Sequence, residues 1–183
     1  MRPSFQLRPA RLYDAAELHA LQQPFVAQGL LLPRSPRYLC ENIRDYVVAV
    51  ASDGRLAGGG ALHFLDGDVA EIQSLAVAPR FRGAGLGSRL VAALLAQARE
   101  HQAWKVFALT HAPEFFLRLG FTRTIIAELP QKLTRDCLGC PKLAACQQVP
   151  VIADVFALRL PAAATQSGLP AETPREQPWE AAV

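Results

Sequence analysis

The sequence predicts an α/β (α+β) fold in which a mixed central sheet is flanked by helices. One observation is the stretch from Glu71 to Leu90, where an apolar run leads into a basic, glycine-rich turn and then into a helical pattern. The other is that strand-like runs both precede and follow this stretch, with helical segments between them. With 183 residues, 51% of them hydrophobic, the chain fits one globular domain with an extension.

The chain begins with a predicted strand and two predicted helices. Residues Phe5 to Arg8 alternate between apolar and polar, as in a strand with one buried face. Asp14 is predicted to cap a helix through its side chain, with Glu17 as its capping-box partner. Ser35 precedes a proline, and this pair predicts a second, short helix, because serine can cap a helix that begins with proline.

Three antiparallel strands are predicted next, because three apolar runs are separated by short turns that contain aspartate and glycine. The runs are Tyr46 to Ala51, Leu56 to Phe64 and Val69 to Val77.

A long helix and several shorter elements are predicted after the glycine-rich turn. Leu86 to Glu100 repeats apolar residues at helical spacing, which predicts a helix that packs on the sheet. The elements expected after it are a strand at Lys105 to Leu109, a helix at Pro113 to Leu119, a strand at Phe121 to Ile126 and a strand within Val149 to Leu158.

The glycine-rich turn is the first candidate for a binding site. Gly83, Gly85 and Gly87 let the backbone adopt positive φ and approach a ligand closely, so that N–H groups can converge on phosphate oxygens. The helix that follows points the positive end of its dipole at the same place. The turn lacks the spacing of a dinucleotide-binding fingerprint and the lysine of a Walker A loop. An exposed turn without a ligand is the alternative.

Charge and hydropathy argue against two classes of partner. The formal net charge is only +3 and there is no polybasic field, so a nucleic-acid partner is not expected. No apolar run reaches the roughly 18 residues of a membrane span, so a membrane is not expected either. The first residues lack the pattern of a signal peptide. We therefore expect a cytoplasmic protein, and the sequence is compatible with a homodimer.

Composition divides the chain near residue 160. Residues 1–160 are expected to form the domain, whereas residues 161–183 are rich in alanine, proline and glutamate and are expected to be a disordered tail. A docking peptide centred on Pro178-Trp179 is the alternative.

The motif Arg82-x-x-Gly85-x-Gly87, directly after a strand, resembles the acetyl-CoA signature of the GCN5-related N-acetyltransferases (GNAT). The predicted order of elements is also that of the GNAT fold, whose sheet is splayed at the acetyl-CoA site. Further segments resemble the amino-acid N-acetyltransferases, the N-acetylglutamate synthases of arginine biosynthesis. These segments are Gln28 to Ser35, Gly60 to His63, Phe107 to Thr110, Pro113 to Phe121, Leu129 to Lys132 and Cys137 to Lys142.

The resemblance implies that acetyl moves from acetyl-CoA, the co-substrate, to the α-amine of an amino acid, with L-glutamate as the main candidate. The alternatives are another small amine, a protein N-terminus, or a non-catalytic module that only binds acetyl-CoA. No amino-acid kinase domain precedes residue 4, so arginine control of the full-length type is not expected. The residues implied to bind acetyl-CoA are Leu75, Ala76, Val77, Arg82, Gly83, Ala84, Gly85, Leu86, Gly87, Ser88 and Phe116.

Two residues are candidates for proton transfer under this resemblance. Glu71 lies on the strand beside the expected thioester and can act as a base through water, unless it is a solvent-facing residue at the start of a strand. His111 stands where tyrosine is common in the narrower family, and it either transfers a proton or is an ordinary loop histidine. Phe116 occupies the position at which many superfamily members carry the tyrosine that protonates the thiolate.

An amino-acid substrate needs a cation for its α-carboxylate, and Arg34 is the candidate because a guanidinium binds carboxylate with two hydrogen bonds. The alternative is that Arg34 only flanks the next helix and faces water. Gln73 stands where relatives often carry arginine, which would suit glutamine or another neutral amino acid better than glutamate. The residues expected around the substrate are Leu32, Arg34, Gln73, Ser74 and Thr110.

Cysteine spacing suggests a weaker candidate for a metal site. Cys137, Cys140 and Cys146 resemble half of a zinc site, with Cys40 as a remote fourth ligand. Reduced thiols in a loop are the preferred interpretation, and no metal is expected.

Overall fold

The computed structural model describes residues 4–140 and 143–158. In this part of the chain seven strands form one mixed sheet in the order β1-β2-β3-β4-β5-β7-β6. The strands are β1 (Phe5–Pro9), β2 (Tyr46–Ala51), β3 (Leu56–Asp66), β4 (Val69–Val77), β5 (Lys105–Thr110), β6 (Thr122–Arg123) and β7 (Val149–Asp154). The tail predicted for residues 161–183 lies outside the described residues.

The helices between these strands differ greatly in length. The helices are α1 (Ala15–Ala27), α2 (Pro36–Glu41), α3 (Leu86–Glu100), α4 (Pro113–Leu117) and α5 (Pro130–Lys132), and α5 continues into a π-helical turn (Leu133–Cys137). Short 3-10 turns lie at Leu12–Asp14, Ile43–Asp45, Pro79–Phe81, Ile126–Glu128 and Leu143–Ala145. Among the described residues, no helix is both long enough and apolar enough to cross a bilayer.

The sheet separates two hydrophobic cores, and β2 shows how. Its residues alternate, with Val47 and Ala49 in the core beneath α3 and with Tyr46 and Val48 in the core beneath α1 and α2. This alternation is the period of two expected for a strand covered on both faces. The α3 stripe predicted from the sequence is fully buried in the first core, and each such leucine contributes about 1.5–3 kcal/mol.

The start of α1 differs from the prediction. Asp14 precedes the helix, but its side chain makes no capping hydrogen bond, because its backbone (φ −78°, ψ −16°) is already helical rather than extended. The carboxylate instead accepts hydrogen bonds from the Arg8 guanidinium at 2.6 and 2.9 Å and from the Arg11 N–H at 2.7 Å. Glu17 is not a capping partner either, since it accepts a hydrogen bond from the Leu56 N–H at 2.8 Å.

The strand predicted at Phe121 to Ile126 is also much shorter in the structure. Only Thr122 and Arg123 pair with β7, opposite Ile152 and Val151. The next pair would join Thr124 to Pro150, whose carbonyl accepts a hydrogen bond from the Thr124 N–H at 3.1 Å. Proline has no N–H to return, so the ladder ends at this position.

Candidate active site

The sheet opens between β4 and β5, its central parallel pair. The two strands share a ladder from the Val69–Lys105 pair to the Glu71–Phe107 pair, and beyond it they separate. On its other side β4 carries a bulge, because the register passes from the Gly59–Ala76 pair to the Ala61–Gln73 pair. The bulge includes Ser74, whose φ of 53° is left-handed and unusual for a residue other than glycine. The bulge bends β4 away from β5, which produces the predicted splay.

A cavity of about 840 Å³ occupies this opening. One wall is β4 from Glu71 to Leu75, and the opposite wall is the end of β5 with the loop that follows it. The loop between α1 and α2 and the segment after α5 close the remaining sides. The cavity therefore joins the far end of β4 and Gly87 to a cluster of polar side chains.

The glycine-rich turn lies where β4 passes into α3. Gly83 and Gly85 have φ of 77° and 74°, in the left-handed region where a side chain would be strained, and Gly85 precedes the first turn of α3. Gly87 lines the cavity, and a Cβ built on it would lie 3.3 Å from the Phe115 ring. The free N–H groups of this helix N-terminus make the turn suitable for an anion.

The residues predicted to bind acetyl-CoA fall into three groups in the structure. Leu75, Val77, Gly87 and Phe116 line the cavity. The side chains of Ala76 and Leu86 are instead buried in the core, so only their backbone could reach a ligand. The remaining residues of the set lie outside the cavity lining, on or next to the turn; they are Arg82, Gly83, Ala84, Gly85 and Ser88.

Five polar side chains form a continuous chain along the cavity wall. Arg34 donates from Nη2 to Gln73 Oε1 at 2.9 Å, and Gln73 donates from Nε2 to Glu71 Oε2 at 2.6 Å. Lys132 donates from Nζ to the same Glu71 oxygen at 2.9 Å and to Asp136 Oδ2 at 2.9 Å. Glu71 is only 3% exposed, so the alternative of a solvent-facing residue is wrong.

Lys132 belongs to this chain, and sequence reasoning did not single it out. Burial lowers the pKa of Lys132, but the negative charge of Glu71 and the hydrogen bonds to Glu71 and Asp136 outweigh it, and the pKa is raised. The group is therefore an ammonium at neutral pH. The available signal was Asp136 four residues after Lys132, a spacing that brings two side chains together on a helical turn.

Arg34 is half-buried and held on two sides. Its guanidinium carbon lies 4.3 Å from the centre of the Tyr38 ring, and its carbonyl oxygen lies 3.0 Å from His19 Nδ1. Arg34 also lines the cavity, as Leu32 does at 44% exposure. These contacts contradict the alternative in which Arg34 only flanks α2 and faces water.

The other predicted residues lie on both sides of the opening. Ser74 faces it from the bulge, above the buried Tyr46, whose pKa is raised by burial. Thr110 and His111 line the cavity at the end of β5, and Thr110 Oγ1 accepts a hydrogen bond from the Ala112 N–H at 3.0 Å. His111 is exposed, so the geometry is compatible with both interpretations given above.

The cysteines do not form a metal cluster in the described part of the chain. Cys137, Cys140 and Cys146 line the cavity, whereas Cys40 is exposed on α2. Among the described residues, no group of three or more histidine, cysteine, aspartate or glutamate side chains is arranged to hold a metal ion. Burial raises the pKa of the Cys137 thiol, which favours its protonated form.

Comparison with known proteins identifies the family to which this chain is similar. The model of the "Acetyltransferase (GNAT) family" matches residues 12–121. An uncharacterised N-acetyltransferase of Chlorobaculum tepidum is 37% identical over 146 residues, which are 80% of this chain and 94% of that protein. The amino-acid acetyltransferase of Mycobacterium tuberculosis is 38% identical over 118 residues, which are 63% of this chain and 67% of that protein.

The chain also resembles part of longer proteins. The amino-acid acetyltransferase of Neisseria meningitidis serogroup A is 36% identical over 132 residues, which are 71% of this chain but 30% of that protein. A solved structure of N-acetylglutamate synthase from Neisseria gonorrhoeae, complexed with coenzyme A and N-acetyl-glutamate, has a TM-score of 0.76 at 30% identity. The match covers 83% of this chain and 35% of that one. This chain thus spans about a third of the Neisseria proteins.

Proposed function

The chain belongs to the acetyltransferase (GNAT) family, and from this premise we propose that it transfers acetyl from acetyl-CoA to the α-amine of a free amino acid. L-Glutamate is the first candidate, which would assign the protein to arginine biosynthesis. The observation that carries the proposal is the single cavity that joins Val77 and Gly87 to Arg34 and Glu71. A site for a polyanionic thioester thus opens onto a cation and a carboxylate.

Acetyl-CoA is proposed to bind along β4 and across the glycine-rich turn. The backbone N–H groups from Arg82 to Ser88 would receive the pyrophosphate at the N-terminus of α3. Leu75 and Val77 would offer their backbone to the amide groups of pantetheine, since in the described part of the chain β4 has no partner strand on that side beyond Glu71. An N–H at the bulge would donate to the thioester carbonyl and stabilise the oxyanion that develops there, usually the largest catalytic term.

Glu71 is proposed as the base that removes a proton from the ammonium of the amino acid. Its buried carboxylate lines the cavity beside the bulge, and a water between carboxylate and amine would bring the proton within reach. The free amine then attacks the thioester carbon. As the tetrahedral intermediate collapses to the amide, CoA leaves as the thiolate and takes up the second proton of the attacking nitrogen. The leaving thiol has a pKa of about 8.5, so it departs with little help from an acid.

Arg34 is proposed to bind the α-carboxylate of the amino acid. Among the described residues, the Arg34 guanidinium donates one hydrogen bond, from Nη2 to Gln73, so its other N–H donors would be available to a carboxylate in the cavity that Arg34 lines. Gln73 itself would meet the substrate side chain, with Ser74 and Thr110 beside it. Because a neutral amide replaces the arginine frequent in relatives, glutamine and other neutral amino acids are included as candidates.

The proposal is tested by measuring CoA release with a panel of acceptors. The panel contains glutamate, glutamine, aspartate, leucine, their α-carboxamides, a polyamine and a peptide with a free N-terminus. We expect at least one free amino acid to exceed its α-carboxamide by 30-fold or more in kcat/KM, about 2 kcal/mol. A preference for the polyamine or the peptide would refute the choice of acceptor, and no turnover despite acetyl-CoA binding would refute the proposed activity.

A further inference from the structure

Lys132 is a buried cation in the wall of the candidate active site. Its side chain is 7% exposed, and Nζ lies between two carboxylates, those of Glu71 and Asp136, at 2.9 Å from each. The Glu71 carboxylate is 4% exposed at its side chain. An ammonium that is removed from water to this extent is retained only when it is paired, and here both partners face the cavity.

We propose that Lys132 is the positioning residue of the catalytic base, holding the Glu71 carboxylate by one oxygen so that the other oxygen is presented to the amine. This inference rests on the proposed function of Glu71. Gln73 from β4 and Lys132 from α5 both donate to Oε2. Among the described residues, no hydrogen bond is made to Oε1. Two donors on one oxygen fix the rotation of the carboxylate and leave Oε1 available to the substrate amine or to a water.

Asp136 is the second carboxylate that Lys132 contacts, so Glu71 does not receive the whole of the lysine charge. The π-helical turn after α5 brings Asp136 onto Lys132, so the ammonium shares its charge between two carboxylates. Asp136 is more exposed than Glu71, at 43% against 4% of the side chain. Lys132 thus divides its two charge-assisted hydrogen bonds between a buried carboxylate and a more exposed one.

Other titratable and charged groups lie near Glu71 on the neighbouring strand and loops. His63 is its direct neighbour across β3, and His63 Nδ1 lies 2.9 Å from Asp45 Oδ2. Arg34 acts through Gln73 from the loop between α1 and α2, and the Cys137 thiol lies on the turn after α5. Lys132 is the cation that contacts Glu71 directly among the described residues, so its removal should have the largest effect on the carboxylate.

The experiment compares Lys132→Met and Lys132→Arg with Lys105→Met, a control at an exposed lysine on β5. In Lys132→Met, Glu71 is buried without its counter-charge, which disfavours the charged form of the carboxyl. The acidic limb of kcat/KM against pH should therefore move to higher pH, and kcat at pH 7 should fall about 10- to 100-fold. KM for acetyl-CoA should be unchanged. Lys132→Arg should restore the limb, and Lys105→Met should match wild type.

A second readout follows the Glu71 carboxyl directly, by NMR titration of carboxyl-labelled glutamate with Glu71→Gln to identify the signal. This titration needs no substrate, so it separates the two proposals. An unchanged Glu71 pKa in Lys132→Met, or a loss of kcat that is equal at every pH, would overturn the role of Lys132. Inactive wild-type protein with a shifted Glu71 pKa in the variant would instead refute the proposed function. If Lys132→Met does not fold, Asp136→Asn replaces it, with an expected three- to tenfold change in kcat; no change would overturn the inference.

Discussion

Replacing Arg34 with alanine should separate recognition of the amino acid from recognition of acetyl-CoA. In the structure, Gln73 already occupies Nη2, and the guanidinium rests on the Tyr38 ring. A substrate carboxylate would add two charge-assisted hydrogen bonds in a half-buried site, together worth about 2 to 4 kcal/mol. Since 1.4 kcal/mol corresponds to a factor of ten, kcat/KM for the best amino acid should fall by about 30- to 1000-fold.

The assay is steady-state kinetics with the best amino acid and with its α-carboxamide. Arg34→Ala should lose the preference for the acid, while KM for acetyl-CoA should stay within about twofold, because the expected pyrophosphate site is the turn before α3. Arg34→Lys should recover only part of the loss, since an ammonium lacks the planar fork. Arg37→Ala is the matched control, because this nearby arginine is 87% exposed and pairs with Glu41 on its own helix. An Arg34→Ala enzyme that still prefers the acid as strongly as wild type would refute the assignment.

Three further perturbations have defined outcomes. Gly87→Ala should raise KM for acetyl-CoA by about three- to tenfold with little change in Tm, because a Cβ there faces the cavity 3.3 Å from Phe115; an unchanged KM would exclude a close approach of the cofactor. Lys132→Met should lower the free energy of unfolding measured in urea by about 3–5 kcal/mol, because it leaves the buried Glu71 carboxylate without its counter-charge. Adding Glu71→Gln should restore much of the lost stability. The raised pKa of Lys132 stabilises the fold below the unfolded value of 10.5 and this contribution is lost as pH rises through the folded pKa. In denaturation series carried upward from pH 10.5, wild-type stability should thus approach that of Lys132→Met, and a constant difference would contradict the linkage.

Elements whose signals lie within the element itself were predicted well. The bounds of β2, β4 and α3 match the predictions, because apolar residues recur at the strand or helix period over the whole segment. The glycine-rich turn was predicted correctly at Gly83 and Gly85, which adopt the left-handed backbone that their residue type suggested. The same prediction was wrong for Gly87, because this residue already belongs to α3 and does not have positive φ. The family resemblance then directed attention to Glu71 and Arg34, both of which line the cavity.

Errors arose where a side chain has a distant partner that outcompetes a local one. Asp14 was predicted to cap its own helix, but its backbone is already helical, and its carboxylate instead accepts two charge-assisted hydrogen bonds from the Arg8 guanidinium on β1. Glu17 likewise bonds to the backbone of Leu56, 39 residues away. The strand after Phe121 was too long in the prediction because its end depends on Pro150, which lies on the neighbouring strand.

The sequence by itself determined the order of strands and helices, the position of the glycine-rich turn and the residue types at the candidate site. Only the tertiary structure decided how those residues act together. The bulge at Ser74 depends on the pairing of β4 with β3, and the Glu71–Lys132 pair joins residues 61 positions apart. The physical reason is that backbone periodicity is a local property, whereas the charge state and orientation of a buried carboxylate depend on every group that folding places around it.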